Sequence, residues 1–291
     1  MSFLADLRKA LRGFVRVAGR PVRKAWGKGG VVLQPYRGYG SRKRVFVIGR
    51  VFRQSSTSPV RGPWDLRRQL RDVWRRLIRR SIPGVHVRGT IFGTEAEAVT
   101  DADGYFRLEW EIDGPVPEGR WHAADLRIEE PAQVNAVAEV YIAPEASRFA
   151  VISDIDDTVM HTGVANKLGM MWRLFVQDSK SRTAFPGVSA LYRALHAGAS
   201  GDDGNPMLYV SRAPWGIYDV LEEFFRRHGI AEGPILILRE WGVSWRNPVP
   251  RRAEDHKRVL IEAIMDLYSD LPFVLIGDSG QHDPWVYREA V

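Results

Sequence analysis

Asp154 and Asp156 stand two residues apart directly after the short apolar run 149–153, with Thr158 close behind them. Three further polar features occupy comparable places downstream. Ser211 and Arg212 follow the apolar run 207–209, Lys257 lies near the start of a helical stretch, and Gly277-Asp278-Ser-Gly-Gln-His-Asp283 follows the apolar run 273–276. These are the residue types that phosphoryl transfer requires. One carboxylate attacks phosphorus and makes a covalent acyl phosphate. A second donates a proton to the leaving oxygen and later activates water. Further acids hold Mg²⁺, which takes oxygen ligands and keeps several waters. A hydroxyl and a lysine neutralise charge on the transferring group. A bare pair of aspartates after a strand is more often a cap or a turn. The weight lies in the ordered series of four, each near a strand end.

The elements around these residues must hold them to the tolerance that proximity effects demand. From residue 148 onward, apolar runs alternate with helical periodicity. Strands are predicted over 149–153, 207–211, 235–238 and 273–277, and helices over 188–196, 217–228 and 255–268. Such alternation predicts an α/β fold, a Rossmann-like doubly wound parallel sheet with ligands at the strand carboxyl ends.

Charge divides the chain differently. Residues 1–90 carry 23 of the 42 basic residues and 3 of the 35 acidic ones, so this part holds about +20 and the remainder about −13. A basic element joined to an acidic body points to an anionic surface as partner. Residues 1–30 read as a basic amphipathic helix, with Phe3, Leu4, Leu7, Leu11, Phe14, Val15 and Ala18 on one face and arginines and lysines on the other. The same pattern recurs over 64–80, between Pro63 and Pro83, with Leu66, Leu70, Val73, Trp74 and Leu77 opposed by seven arginines. Each helix suits either packing on its own protein or lying on an anionic bilayer, where a basic residue contributes roughly 1 kcal/mol. No recognised nucleic-acid module accompanies the charge, so a membrane surface is the expected partner and nucleic acid is not.

Between these helices and beyond them, 31–146 reads as a small β-sandwich interrupted by the helical insertion 64–80. Strands are predicted over 45–52, 85–92, 97–100, 105–112, 125–127 and 134–142. Asp101-Ala-Asp-Gly104 reads as a hairpin turn and lacks the other ligands of a Ca²⁺ loop. The expected organisation is thus three parts: 1–30, 31–146 and a phosphatase domain over 147–291.

The motif residues resemble a known superfamily. Asp154-Ile-Asp156-Asp157-Thr158, Ser211, Lys257 and Asp278 with Asp283 are similar to the four motifs of the haloacid-dehalogenase superfamily. Closer still, Ser153-Asp-Ile-Asp-Asp-Thr-Val159, Tyr209-Val-Ser-Arg-Ala-Pro-Trp215 and Gly277-Asp-Ser-Gly-Gln-His-Asp-Pro284 resemble the actin-patch phosphatidate phosphatases and their bacterial relatives. The resemblance implies Asp154 as nucleophile and Mg²⁺ ligand, and Asp156 as general acid and base with its main-chain carbonyl on the metal. It implies Ser211 as a phosphate-binding hydroxyl and Lys257 as a bridge between phosphate and Asp154. Asp278 would ligate Mg²⁺ directly or through water, with Asp283 supporting the metal site. Asp157 is expected to shape the loop. The family usually continues with another strand and helix beyond the fourth motif, so a chain ending at Val291 is expected to be truncated.

Composition narrows the remainder. The chain has no cysteine, which excludes disulfides and thiolate metal sites and makes a reducing compartment the simpler expectation. No run of 18 apolar residues exists, and arginines interrupt the N-terminal apolar residues, so neither a spanning helix nor a secretory signal is expected. The expected function is Mg²⁺-dependent hydrolysis of phosphatidate or a related lipid phosphate by a cytoplasmic protein peripheral at the membrane. Two alternatives stand beside it: the same mechanism on a soluble phosphomonoester, and an inactive module that binds anionic lipid or nucleic acid. Phe175, Phe185 and Met170–Trp172 lie where this superfamily inserts caps, and suit a packed lid or an acyl-chain entrance. His161, His256 and His282 adjoin motif residues and read as hydrogen-bond partners rather than metal ligands.

Overall fold

Alternation of apolar and polar residues along 105–111 puts Phe106, Leu108 and Trp110 on one face and charged residues on the other. A computed structural model of the 291-residue chain describes residues 27–54, 80–155, 187–211, 218–237, 253–277 and 283–290. The chain divides into two compact units, one within Ala18–Ile142 and one within Ala143–Val291. The expected helix 1–30 and the insertion 64–80 fall almost wholly outside the described residues.

In the first unit nine strands form one mixed sheet. They are β1 (Val31–Pro35), β2 (Gly38–Gly40), β3 (Arg44–Arg53), β4 (Arg80–Ser81), β5 (His86–Ile91), β6 (Thr94–Val99), β7 (Tyr105–Glu111), β8 (Trp121–Ile128) and β9 (Val134–Ile142). The main path runs β1-β3-β2-β9-β8-β5-β6. The ten-residue β3 is the organising strand: β1 and β2 share one of its edges, and β4 and β7 share the other. All pairings are antiparallel except β2 with β9. β6 and β7, at the two ends of the sheet, come into contact, so the sheet curls around one apolar core. Leu33, Val47, Val87, Leu108, Trp110, Leu126 and Val140 sit at its centre, and each contributes roughly 1.5–3 kcal/mol through burial.

Two local features fix contacts of β7 within this sheet. Gly89 faces Trp110 so closely that a Cβ would lie 2.5 Å from Trp110 Cζ2, and Trp110 Nε1 donates to the Gly89 carbonyl at 3.2 Å. The turn before β7 is closed by Asp101, whose Oδ1 accepts from the N–H groups of Asp103 and Tyr105, while Gly104 takes φ 78°. Asp101 here is a turn residue, as expected.

The second unit holds a four-stranded parallel sheet in the order β12-β11-β10-β13, formed by β10 (Ala150–Asp154), β11 (Met207–Ser211), β12 (Ile235–Ile237) and β13 (Phe273–Ile276). Helix α1 (Val188–Ala197) precedes β11, α2 (Tyr218–His228) precedes β12, α3 (Ala253–Leu267) precedes β13, and α4 (Asp283–Ala290) follows it. The start of β10 is clipped by Asn205. Its Oδ1 accepts from the N–H groups of Arg148 and Phe149, and its Nδ2 donates to the Leu195 carbonyl at the end of α1.

The fold class departs from expectation. The sequence pointed to a Rossmann-like doubly wound α/β protein with a small sandwich in front of it. The described residues are instead mostly β, and their largest element is the nine-stranded mixed sheet. The strand content comes from the first unit, whose nine described strands outnumber the second unit's four, and β3 is long enough to take two partners on each edge. It joins what looked like two separate sheets into one continuous ladder. The β/α alternation is real and builds four strands among the described residues.

Candidate active site

Helical periodicity buries Lys257. Leu260, Ile261, Ile264 and Leu267 form the buried stripe of α3, and Lys257 lies on the same stripe one turn earlier. Its side chain is completely buried, and Nζ lies 3.0 Å from Asp154 Oδ1. Asp154 is the last residue of β10, the strand with a neighbour on each side in the parallel sheet, and is itself 1% exposed. The Tyr287 ring of α4 covers Lys257 Nζ at 5.4 Å, and Tyr287 OH donates to the Ile276 carbonyl at 3.0 Å.

Parallel register brings the other strand ends alongside. Asp154 pairs with Val210, so Ser211 stands one residue further along the neighbouring strand, fully buried. Ser153 pairs with Ile276, so the carboxyl end of β13 lies on the opposite side of β10. Ile155 N–H donates to the Val210 carbonyl at 2.9 Å and carries the ladder one residue past the aspartate.

Beneath the carboxylate lies a buried hydroxyl network. Tyr192 OH and Ser153 Oγ are 2.6 Å apart, and Ser153 Oγ donates to the Asp154 carbonyl at 3.1 Å. Burial pushes the Tyr192 hydroxyl above its ordinary value; the Ser153 hydrogen bond opposes this shift, and the Asp154 charge adds to it. Tyr209 stands outside this chain of bonds: its ring centroid is 6.0 Å from that of Tyr192, and burial and then Tyr192 raise its hydroxyl well above the ordinary value. Its hydroxyl donates to the Ala231 carbonyl at 2.8 Å.

Of the expected site residues, Asp154 and Lys257 are in direct contact and Ser211 is at the adjacent strand end. Asp156, Asp157, Thr158 and Asp278 lie outside the described residues. Asp283 is described only as the first residue of α4, and His256 only as a position in α3. The apolar lid 170–185 also lies outside them. Among the described residues no group of three or more histidines and acids gathers into a metal site. The donor that is described, a buried carboxylate at a strand end, is of the hard-oxygen type that Mg²⁺ takes. One carboxylate beside one ammonium is also close to neutral, so a phosphate dianion arriving there needs further positive charge.

Sequence reasoning missed Tyr192, Tyr287 and Asn205. A single tyrosine on an amphipathic helix carries no sign of which buried atom its hydroxyl will meet. Ser153 belongs to the first motif, where its residue type alone assigns it no role.

Residues 149–291 match the family model described as "Phosphatidate phosphatase APP1, catalytic domain", a span that includes all four motifs. Over 215 residues the chain is 30% identical to a phosphatidate phosphatase of Saccharomyces cerevisiae, covering 71% of this chain and 34% of that protein. It is 24% identical over 199 residues to an uncharacterised protein of Schizosaccharomyces pombe, covering 67% of this chain and 32% of that one. The chain therefore spans about a third of the length of these curated relatives. The resemblance to the actin-patch type of phosphatidate phosphatase is real: the family match lies within the second unit, and the match to the yeast protein covers more of the chain than that unit.

Proposed function

We propose that this chain is a phosphatase that hydrolyses phosphatidate or a related lipid phosphate through a phosphoryl group carried on Asp154. The observation that carries the reading is the buried contact between Asp154 Oδ1 and Lys257 Nζ at the end of β10. A buried ion pair is poor value as a stability device, because desolvation offsets most of its attraction. Its position at a sheet's carboxyl edge favours a chemical use.

In the first half-reaction an Asp154 carboxylate oxygen bonds to phosphorus as the bond from phosphorus to the leaving oxygen breaks. Asp156 supplies the proton that the departing alkoxide takes up. In the second half, Asp156 withdraws a proton from water, the water oxygen bonds to phosphorus, and the Asp154 carboxylate is released. Lys257 orients the carboxylate and balances charge on the phosphoryl oxygens, and Ser211 donates to one of them. Mg²⁺, when bound, supplies further charge neutralisation. Asp154, the Asp156 carbonyl and Asp278 would hold it, with Asp283 in support.

The lipid substrate is supported by the printed name of the yeast relative and by the basic segments 1–30 and 64–80. Those segments fit a protein that works at the surface of an anionic bilayer from the cytoplasmic side. No helix among the described residues is long and apolar enough to cross a membrane.

The test is phosphate release from phosphatidate vesicles and from soluble phosphomonoesters, with and without Mg²⁺, in the wild type and in Asp154→Asn. Mg²⁺-dependent release that is faster on vesicles, weakened by salt and abolished by Asp154→Asn is the expected result. Equal or greater release from soluble esters would move the substrate to that class. Vesicle binding with no turnover would make the chain a binding module.

A further inference from the structure

The peptide group that follows the nucleophile is held at both ends. Its carbonyl, that of Asp154, accepts from Ser153 Oγ at 3.1 Å, and its N–H, that of Ile155, donates to Val210 at 2.9 Å. A carbonyl oxygen only accepts, and a serine has one proton. The Ser153 proton therefore goes to Asp154, and Tyr192 is the donor in the 2.6 Å hydrogen bond between the two hydroxyls. Ser153, Asp154 and Tyr192 are all at most 1% exposed, so water does not compete for these bonds. Chains of buried hydrogen bonds polarise and strengthen one another.

We propose that Tyr192 is a positioning residue for the reaction: through Ser153 it fixes the peptide plane between Asp154 and Ile155, and so the direction in which Asp154 presents its carboxylate. The inference rests on the reading of Asp154 as nucleophile. Tyr192 touches neither substrate nor reacting atoms. It acts from helix α1, 39 residues along the chain from Ser153. The need for such a support is physical. The nucleophile is the last residue of β10, so the orientation of its own peptide group matters for where its carboxylate points. A misplacement of about 1 Å at a reacting group costs about a hundredfold in rate.

The experiment is steady-state kinetics on phosphatidate vesicles and on p-nitrophenyl phosphate, with Tyr192→Phe, Ser153→Ala, the double variant, Tyr209→Phe and Asp154→Asn. Tyr192→Phe and Ser153→Ala should each lower kcat about ten- to hundredfold, the range for loss of a group that orients a site ligand. KM should stay within about twofold. The double variant should be no slower than the slower single, because both substitutions break one chain of bonds. Tyr209→Phe removes an equally buried tyrosine hydroxyl whose bond goes to Ala231 instead. It should shift the melting temperature in the same way and leave kcat unchanged.

Wild-type kcat in Tyr192→Phe or in Ser153→Ala overturns the proposal. So do multiplying effects in the double variant, or an equal loss in Tyr209→Phe, which would make the role merely structural. If Tyr192→Phe does not fold, Ser153→Ala and Tyr209→Phe decide between the same outcomes. A wild type with no activity dependent on Asp154 removes the reading of the site, and the inference falls with it. Full Asp154 dependence with an unaffected Tyr192→Phe removes the inference alone.

Discussion

Lys257 Nζ lies 3.0 Å from Asp154 Oδ1, and neither side chain is more than 1% exposed. Replacing one member of such a pair leaves the other charge buried without that partner. Lys257→Met should therefore destabilise the second unit by about 3–5 kcal/mol as well as abolish turnover. Lys257→Arg should restore neither, since a planar guanidinium does not fit a cavity shaped around a single ammonium. Urea denaturation read by circular dichroism checks the first part. A variant as stable as the wild type would mean that the carboxylate tolerates burial alone.

Asn205 ties the entry of β10 to the end of α1 with three side-chain hydrogen bonds, and it is fully buried. Asn205→Leu keeps the number and branching of side-chain heavy atoms and removes the partner of two N–H groups and one carbonyl. At about 1–3 kcal/mol per unsatisfied group, a loss of at least about 3 kcal/mol is expected. Chemical denaturation of the whole chain measures it. Activity per folded molecule should fall less than in Tyr192→Phe, because the clip lies at the opposite end of the strand from Asp154.

Gly89 has no room for a methyl group. A Cβ there would lie 2.5 Å from Trp110 Cζ2 and 2.7 Å from Leu108 Cδ1, both in the core of the first unit. Gly89→Ala should cost about 1–3 kcal/mol by overpacking. Combined with Trp110→Phe, which opens space, it should cost less than the sum of the two single changes. Strict additivity in denaturation experiments would contradict this contact.

His122 gives the first unit a pH dependence of definite sign. Burial lowers its pKa from the ordinary 6.5, a hydrogen bond to the Gly119 backbone opposes the shift, and Arg42 adds to it. Its Nε2 is buried without a hydrogen-bond partner among the described residues, and its ring stands edge-on to Phe92 at 5.1 Å. The unfolded chain thus binds more protons than the folded one below about 6.5. The contribution is fully present above that pH and is lost as pH falls through 6.5 towards the folded value. Thermal melts from pH 5 to 8 should show a decline on the acid side that is smaller in His122→Phe. An unchanged decline would assign the acid sensitivity to other groups.

Local pattern determined a good deal here. Period-two alternation marked β5, β7, β8 and β9, and apolar runs marked β3 and all four described parallel strands. Motif spacing put Asp154, Ser211 and Lys257 at or beside strand ends, because a strand's carboxyl end and a helix stripe are both set by short-range periodicity. Tertiary structure decided the rest. Whether 31–146 forms two sheets or one depended on β3 accepting partners along both edges, and a strand's own residues do not say how many neighbours it will gain. The mostly-β class of the described residues follows from the nine strands of the first unit outnumbering the four of the second. The bonds from Tyr192 to Ser153 and from Asn205 to Arg148 join residues 39 and 57 positions apart. A hydroxyl or an amide has no preferred partner until packing has excluded water and left one acceptor or donor within reach.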